Sequence, residues 1–121
     1  MRTHHIAIFT RDLPRLEAFY SQALGLPVVQ RWDDLGIVFL DAGGTQLELT
    51  RLDHAGDGTP HPLDQGVGIN HIAFSVLDID IMYKAFIERG ARGLVGPQQY
   101  RALRVAFLAD PDGNVLELVE E

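Results

Sequence analysis

Apolar and polar positions along this chain follow two rhythms, one of period two and one of period three to four, and their succession predicts the elements. Residues 5–10 form a short β-rich run. Asp12 follows as a helix N-cap, with Pro14 in the first turn, and Leu13, Leu16, Phe19, Tyr20 and Leu24 then recur at helical spacing until Gly25. Residues 26–32 read as a strand broken by Asp33-Asp34, residues 36–41 as a second, and residues 45–52 as a third after the turn Ala42-Gly43-Gly44. In that third strand Leu47 and Leu49 share one face, and Gln46, Glu48 and Thr50 the other. Residues 53–68 carry Gly56, Gly58, Pro60, Pro62, Gly66 and Gly68 and read as a connecting loop.

Beyond the loop the order is replayed. A strand is expected over residues 69–76 and a helix capped by Asp78, with Ile79, Met82, Tyr83, Phe86 and Ile87 on its buried stripe and Gly90 at its end. A short strand or edge over residues 93–97, a strand over 103–109, the turn Asp110-Pro111-Asp112-Gly113 and a last strand over 115–119 complete it. The replay extends to residue identity. His5-Ile-Ala recurs as His71-Ile-Ala, an offset of 71 − 5 = 66 that Asp12 and Asp78 keep. Leu47-Glu48-Leu49 recurs as Leu116-Glu117-Leu118, an offset of 117 − 48 = 69. The chain is therefore expected to be one domain, 1–121, built of two β-α-β-β-β repeats at about 1–52 and 69–121.

Strand alternation orients these residues. Ile72, Phe74 and Val76 share one face, and His71, Ala73 and Ser75 the other; Ile6 and Ile8 lie opposite His5, Ala7 and Phe9; Leu116 and Leu118 lie opposite Val115, Glu117 and Val119. Helices should cover the Ile/Leu/Phe faces. The His/Glu faces would then line the concave side of a curved sheet, with small residues beside the histidines leaving room. Four potential ligands, one per central strand, could converge there. Two imidazoles and two carboxylates make a mixed N/O donor set suited to a divalent transition metal. Such an ion polarises substrate oxygens, and a carboxylate beside it can act as a base on an adjacent C–H. Taken singly, a strand His is more often a packed or surface residue, and a Glu flanked by Leu is usually the wet face of an amphipathic strand. The coincidence of both pairs in a repeat favours a site over that plainer reading.

Composition bounds the function. A length of 121 residues, 46% hydrophobic and 22% charged, is enough for a globular core. A net charge of −7 argues against nucleic acid or an anionic membrane as the main partner. No apolar run reaches the roughly 20 residues of a membrane span. The absence of Cys excludes disulfides and thiolate ligands, and the N-terminal Met1-Arg2-Thr3-His4-His5 lacks an apolar signal core, so a cytoplasmic location is expected. Other residues carry weaker readings. A strand shifted by one would offer His4 in place of His5. His54 and His61 lie in the Gly/Pro loop and should be solvent-exposed. Arg101 and Arg104, with Gln98, Gln99 and Tyr100, make either an exposed loop or an Arg clamp for an anionic small-molecule substrate. Trp32 and Phe39 either pack or line an apolar part of the cup.

Several motifs together carry a family resemblance: His5-Ile-Ala, Phe19-Tyr20 through Leu24-Gly25-Leu26, Leu47-Glu48-Leu49, Asn70-His71-Ile-Ala-Phe, and Asp110-Pro111-Asp112-Gly113-Asn114-Val115-Leu116-Glu117-Leu118. With them the whole chain resembles the vicinal oxygen chelate superfamily, which comprises glyoxalases, bleomycin resistance proteins and extradiol dioxygenases. The resemblance implies an α+β fold of two βαβββ modules forming a cupped eight-stranded mixed sheet with helices on the convex face. It implies a divalent metal (nickel, cobalt, zinc, iron or manganese) held by His5, Glu48, His71 and Glu117, and a homodimer. The ligand set is most similar to that of glyoxalase I, which implies a lyase or isomerase working through an enediolate, with Glu117 or Glu48 as the catalytic proton carrier. Phe9 and Leu52 stand where glyoxalase I has an Arg and an Asn that hold glutathione. The resemblance leaves open an acyl-CoA epimerase, a dioxygenase, a thiol transferase, or a drug-binding protein of the bleomycin-resistance kind that turns nothing over.

Overall fold

The computed structural model describes residues 2–51 and 71–121. The chain divides into two compact units, Met1–Asp57 and Gly58–Glu121. The expectations for the 53–68 loop, for His54 and His61, and for Leu52 and Asn70 lie outside the described residues.

The first unit runs β1 (His5–Thr10), α1 (Leu13–Ala18), a π-helical turn (Phe19–Ala23), β2 (Val28–Trp32), β3 (Ile37–Asp41) and β4 (Gln46–Arg51). Its four strands form one sheet in the order β1-β4-β3-β2, with β1 parallel to β4 and the other pairs antiparallel. Asp12 caps α1 as expected, its Oδ1 accepting from the Arg15 amide at 3.2 Å. The helix covers the face that carries Val38, Leu40, Leu47 and Leu49, where Leu16 and Tyr20 are fully buried. Arg31, in register with Val38 on that same face, reaches over to pair with Glu17 of α1. The expected single helix is modified at its end. The Leu24 amide reaches back five residues to the Phe19 carbonyl at 3.0 Å, a widened turn that seats Phe19 and Tyr20 side by side in the core. Gly25, at φ 78°, then turns the chain away from the helix.

The second unit runs β5 (His71–Ser75), α2 (Ile79–Glu88), β6 (Arg92–Tyr100), β7 (Leu103–Ala109) and β8 (Val115–Glu120). Its sheet order, β5-β8-β7-β6, and its single parallel pair, β5 with β8, repeat the first unit. Asp78 caps α2 through the Ile81 amide at 3.1 Å, and Glu120 accepts from the Ile79 amide at 2.7 Å. Ile79, Phe86, Ala106, Leu108, Leu116 and Leu118 are buried in its core. Each unit is thus a βαβββ module, and the α+β class holds.

Two expectations change. The edge strand of the second unit is longer than the residue 93–97 segment, because β6 continues through Gln98–Tyr100 into a hairpin with β7. Irregular pairing between Gly93 and Val95 and between Val95 and Gln98 accommodates Pro97, which has no amide to give a ladder. Gln98, Gln99 and Tyr100 are therefore strand residues rather than a loop. The turn Asp110-Pro111-Asp112-Gly113 is a built corner. Buried Asp110 accepts through Oδ1 from the Asp112 and Asn114 amides, both at 2.9 Å, and through Oδ2 from the Asn114 side chain at 2.7 Å. Gly113 supplies the positive φ of 88° the corner needs.

Candidate metal centre

The four residues singled out in the sequence fall into two pairs, one per unit, at the same register. In the first unit Glu48 of β4 stands between Ala7 of β1 and Phe39 of β3. In the second, Glu117 of β8 stands between Ala73 of β5 and Phe107 of β7. In both, the His lies two residues before the Ala, on the same face and diagonal to the Glu. The offsets of 66 and 69 differ by three residues, yet the pairing frame is identical, so those residues are absorbed before β8. His5 pairs with Gln46 as His71 pairs with Val115, which places His5, and not His4, at the equivalent of His71.

The second pair is closed. His71 Nε2 lies 3.1 Å from Glu117 Oε2, with side-chain exposures of 35% and 18%, so the pair is reachable from solvent yet partly walled. The wall on one side is Phe107, whose ring meets the His71 ring edge-on at 5.8 Å between centroids. Ala73, an exposed small residue, is the register neighbour of Glu117.

The first pair has the same frame with its polar atoms engaged locally. His5 Nδ1 lies 2.9 Å from His4 Nδ1, and Glu48 Oε2 accepts from Thr50 Oγ1 at 3.2 Å. Phe39 again lies edge-on to the histidine, at 6.4 Å, and Trp32 lies edge-on to Phe39 at 5.0 Å. Trp32 and Phe39 thus belong to the face of the pair, Phe39 buried and Trp32 41% exposed. Within either unit, no cluster of three or more His, Asp or Glu side chains forms among the described residues.

Of Arg101 and Arg104, for which the sequence offers an exposed loop or an anion clamp, Arg104 is engaged within the fold. Arg104 pairs in register with Glu120 on the helix side of β7 and donates to Asp80 of α2 from its two terminal guanidinium nitrogens, at 2.5 and 3.1 Å. Those hydrogen bonds keep the Asp80 carboxyl below the usual carboxylate range and raise the Arg104 guanidinium. The side chain is spent on fastening helix to sheet. Arg101 occupies the β6–β7 turn at φ 56°, its carbonyl accepting from Gln99 Nε2 at 2.8 Å. Sequence reasoning missed Thr50 as a partner of Glu48, although its place two residues along the same strand face was readable. It also missed Phe107, the counterpart of Phe39.

Comparison with known proteins converges on one group. The sequence matches the Glyoxalase/Bleomycin resistance protein/Dioxygenase superfamily over residues 2–118. It is 30% identical to the uncharacterized protein YwkD of Bacillus subtilis, over 98% of this chain and 95% of that one. It is 26% identical to a probable lactoylglutathione lyase of Synechocystis, over 96% of this chain and 92% of that one. Among solved structures, lactoylglutathione lyase from Agrobacterium tumefaciens superposes with a TM-score of 0.73 at 25% identity, covering 98% of this chain and 92% of that one.

Proposed function

This chain belongs to the glyoxalase/bleomycin resistance protein/dioxygenase superfamily, and from that premise we propose that it is a divalent-metal-dependent enzyme of the glyoxalase I kind. The carrying observation is the His71–Glu117 pair at 3.1 Å, matched in register by His5 and Glu48. The 3.1 Å spacing of an imidazole nitrogen and a carboxylate oxygen would suit two donors to one divalent ion. His5 and Glu48 would complete the set, drawn from one chain or from two copies in a homodimer. The ion would be nickel, cobalt, zinc, iron or manganese, since imidazole and carboxylate donors suit all of them.

Such an ion supplies Lewis acidity toward two adjacent oxygens of a small substrate. The residues of this chain supply the rest. Glu117, beside the small Ala73, would take a proton from a carbon beside those oxygens and return it to the neighbouring carbon, and Glu48 would be its counterpart. Phe107 and Phe39, edge-on to the histidines, would shield one side of each ring. The lactoylglutathione lyases among the relatives support the reaction class. Phe9, exposed on the site face where glyoxalase I has its anchoring Arg, argues against glutathione itself as the carrier.

A second reading, a metal-free binding protein, draws on the His4–His5 contact, which engages one ring nitrogen of a proposed ligand. Metal analysis of the purified protein separates the two. The enzyme reading requires near-stoichiometric metal that the His71→Ala protein lacks, followed by turnover of methylglyoxal–thiol adducts, with acyl-CoA epimerisation and ring cleavage as the next assays. Metal content unaffected by His71→Ala would contradict it.

A further inference from the structure

We infer that Phe9 and Trp32 form an aromatic subsite beside the His5–Glu48 pair, selecting a neutral aryl group joined to the chelating oxygens of the substrate. The inference rests on the proposed metal-dependent function and adds to it the chemical class of the substrate body.

Register places the subsite. Phe9 is opposite Thr50, Thr50 opposite Ile37, and Ile37 opposite Trp32, so the four stand in one row across the first unit's sheet. The row lies on the His5–Glu48 face, two residues along the strands from Glu48, a distance of about 7 Å. That is the span of one aromatic ring carrying an oxygen substituent. Thr50 and Ile37 make the floor, and Phe9 and Trp32 stand at its two ends, separated by three strand spacings, or about 14 Å of backbone. Both rings are unusually open for their size, Phe9 at 61% and Trp32 at 41% exposure. Trp32 is nonetheless held in place, edge-on to Phe39, whose ring in turn meets His5. A line of rings therefore leads from the proposed metal ligand to an open aromatic wall.

The second unit serves as an internal control. Its Ala73–Glu117–Phe107 row repeats Ala7–Glu48–Phe39 residue for residue. Its next row is Ser75, Val119, Val105 and Gln98, with no aromatic residue. The two halves agree where the ligands stand and diverge one row away, and a fold requirement common to both would not produce that difference. Charge on this face defines the occupant further. Among the face residues of β1 to β4 there is no Lys or Arg: Arg31 lies on the helix side with Val38, and Arg51 packs on Gly36 from that side. The charged residues that share the face are Glu48 and Asp41. Asp41 stands two rows further along, past Glu48, so an anionic tail would find no cation at this row and Glu48 one row away, whereas an uncharged ring would cover Phe9 and Trp32 without a charge to oppose it.

Trp32 is the single tryptophan of the chain, so its emission reports on the subsite directly. The test titrates the full-length, metal-reconstituted protein with benzohydroxamate and acetohydroxamate, two bidentate oxygen chelators that differ by one ring. Affinities are read by calorimetry and ring contact by Trp32 fluorescence. Benzohydroxamate should bind about tenfold or more tightly than acetohydroxamate and quench Trp32. Phe9→Ser and Trp32→Gln, which install the residues of the second half, should each erase most of that preference while acetohydroxamate affinity stays within about twofold. Phe9 is too exposed for its loss to prevent folding. Equal affinities for the two chelators, or a preference that survives in both variants, overturns the subsite and leaves the metal centre standing. Failure of both chelators to bind a protein that retains no metal overturns the functional reading and the subsite together.

Discussion

His71 and Glu117 meet across the parallel β5–β8 pair with Nε2 3.1 Å from Oε2, although the register partner of Glu117 is Ala73. The contact is diagonal, which is why a small residue at position 73 matters: it puts no bulky side chain beside the imidazole and carboxylate. A larger side chain there would fill the space the proposed ion needs. Ala73→Leu is therefore expected to abolish metal retention with at most a modest loss of stability, because the position is exposed and outside the core. Metal content and melting temperature of the one variant check both halves of that statement.

Thr50 donates to Glu48 at 3.2 Å and orients the carboxylate. Removing a hydrogen bond that positions a metal ligand typically weakens metal binding about 10- to 100-fold. Thr50→Val should show a loss of that order in a competitive chelator titration, and Thr50→Ser, which keeps the hydroxyl, should restore most of it. Equal affinity in both variants would remove Thr50 from the site.

Asp110 holds the β7–β8 corner through two backbone amides and one side-chain amide while itself buried. Asp110→Ala leaves those donors unsatisfied and should cost about 2–4 kcal/mol in denaturant unfolding. The corner leads directly into the strand bearing Glu117, yet the variant should still bind metal where it is folded. Its effect is on the fold and not on the chemistry.

Gly93 meets α2 closely. A Cβ built there would stand 2.3 Å from Tyr83 Oη and 3.3 Å from Ile87 Cδ1. Gly93→Ala is expected to destabilise by about 1–3 kcal/mol. In a Tyr83→Phe background, where the nearest atom is gone, the same change should cost less, and the difference between the two costs is the coupling to measure.

The Asp80–Arg104 pair gives a pH signature. Hydrogen bonds from Arg104 lower the Asp80 carboxyl below its ordinary value. A depressed carboxyl contributes stability above its unfolded value and loses it as pH falls through the folded one. Asp80→Asn should therefore melt slightly below the unsubstituted protein at neutral pH, with the gap closing in acid below the ordinary carboxylate range. The gap should be small, since the Asp80 side chain is 62% exposed, and should shrink with added salt.

Much of this fold was legible in the sequence because its information is periodic. Alternation placed His5 and His71 opposite isoleucines and Glu48 and Glu117 opposite leucines, and the repeated caps Asp12 and Asp78 fixed where both helices begin. What was not legible depends on contacts between distant residues or on local departures from periodicity. The π-helical turn at Phe19–Ala23 keeps a helical hydrophobic pattern while changing its hydrogen bonds. The extension of β6 past Pro97 depends on irregular pairing with β7, which no alternation announces. Arg104 read as a candidate anion clamp because its partner, Asp80, lies 24 residues away on a helix. The aromatic row was hidden for the same reason: Phe9 and Trp32 are brought to one level by the register of four strands, not by their spacing in the chain.

Metal content bears on the proposed function most directly. The protein, purified and reconstituted with nickel, cobalt, zinc, iron or manganese in turn, should hold close to one ion per site, and His5→Ala and Glu117→Ala should each lose it while remaining folded. Pairing these two variants tests one residue from each unit. Near-stoichiometric metal lost in both supports His5 and Glu117 as ligands. No metal in the unsubstituted protein after every reconstitution, or metal retained in both variants, would contradict the proposed centre and turn attention to a binding protein that keeps the scaffold without the chemistry.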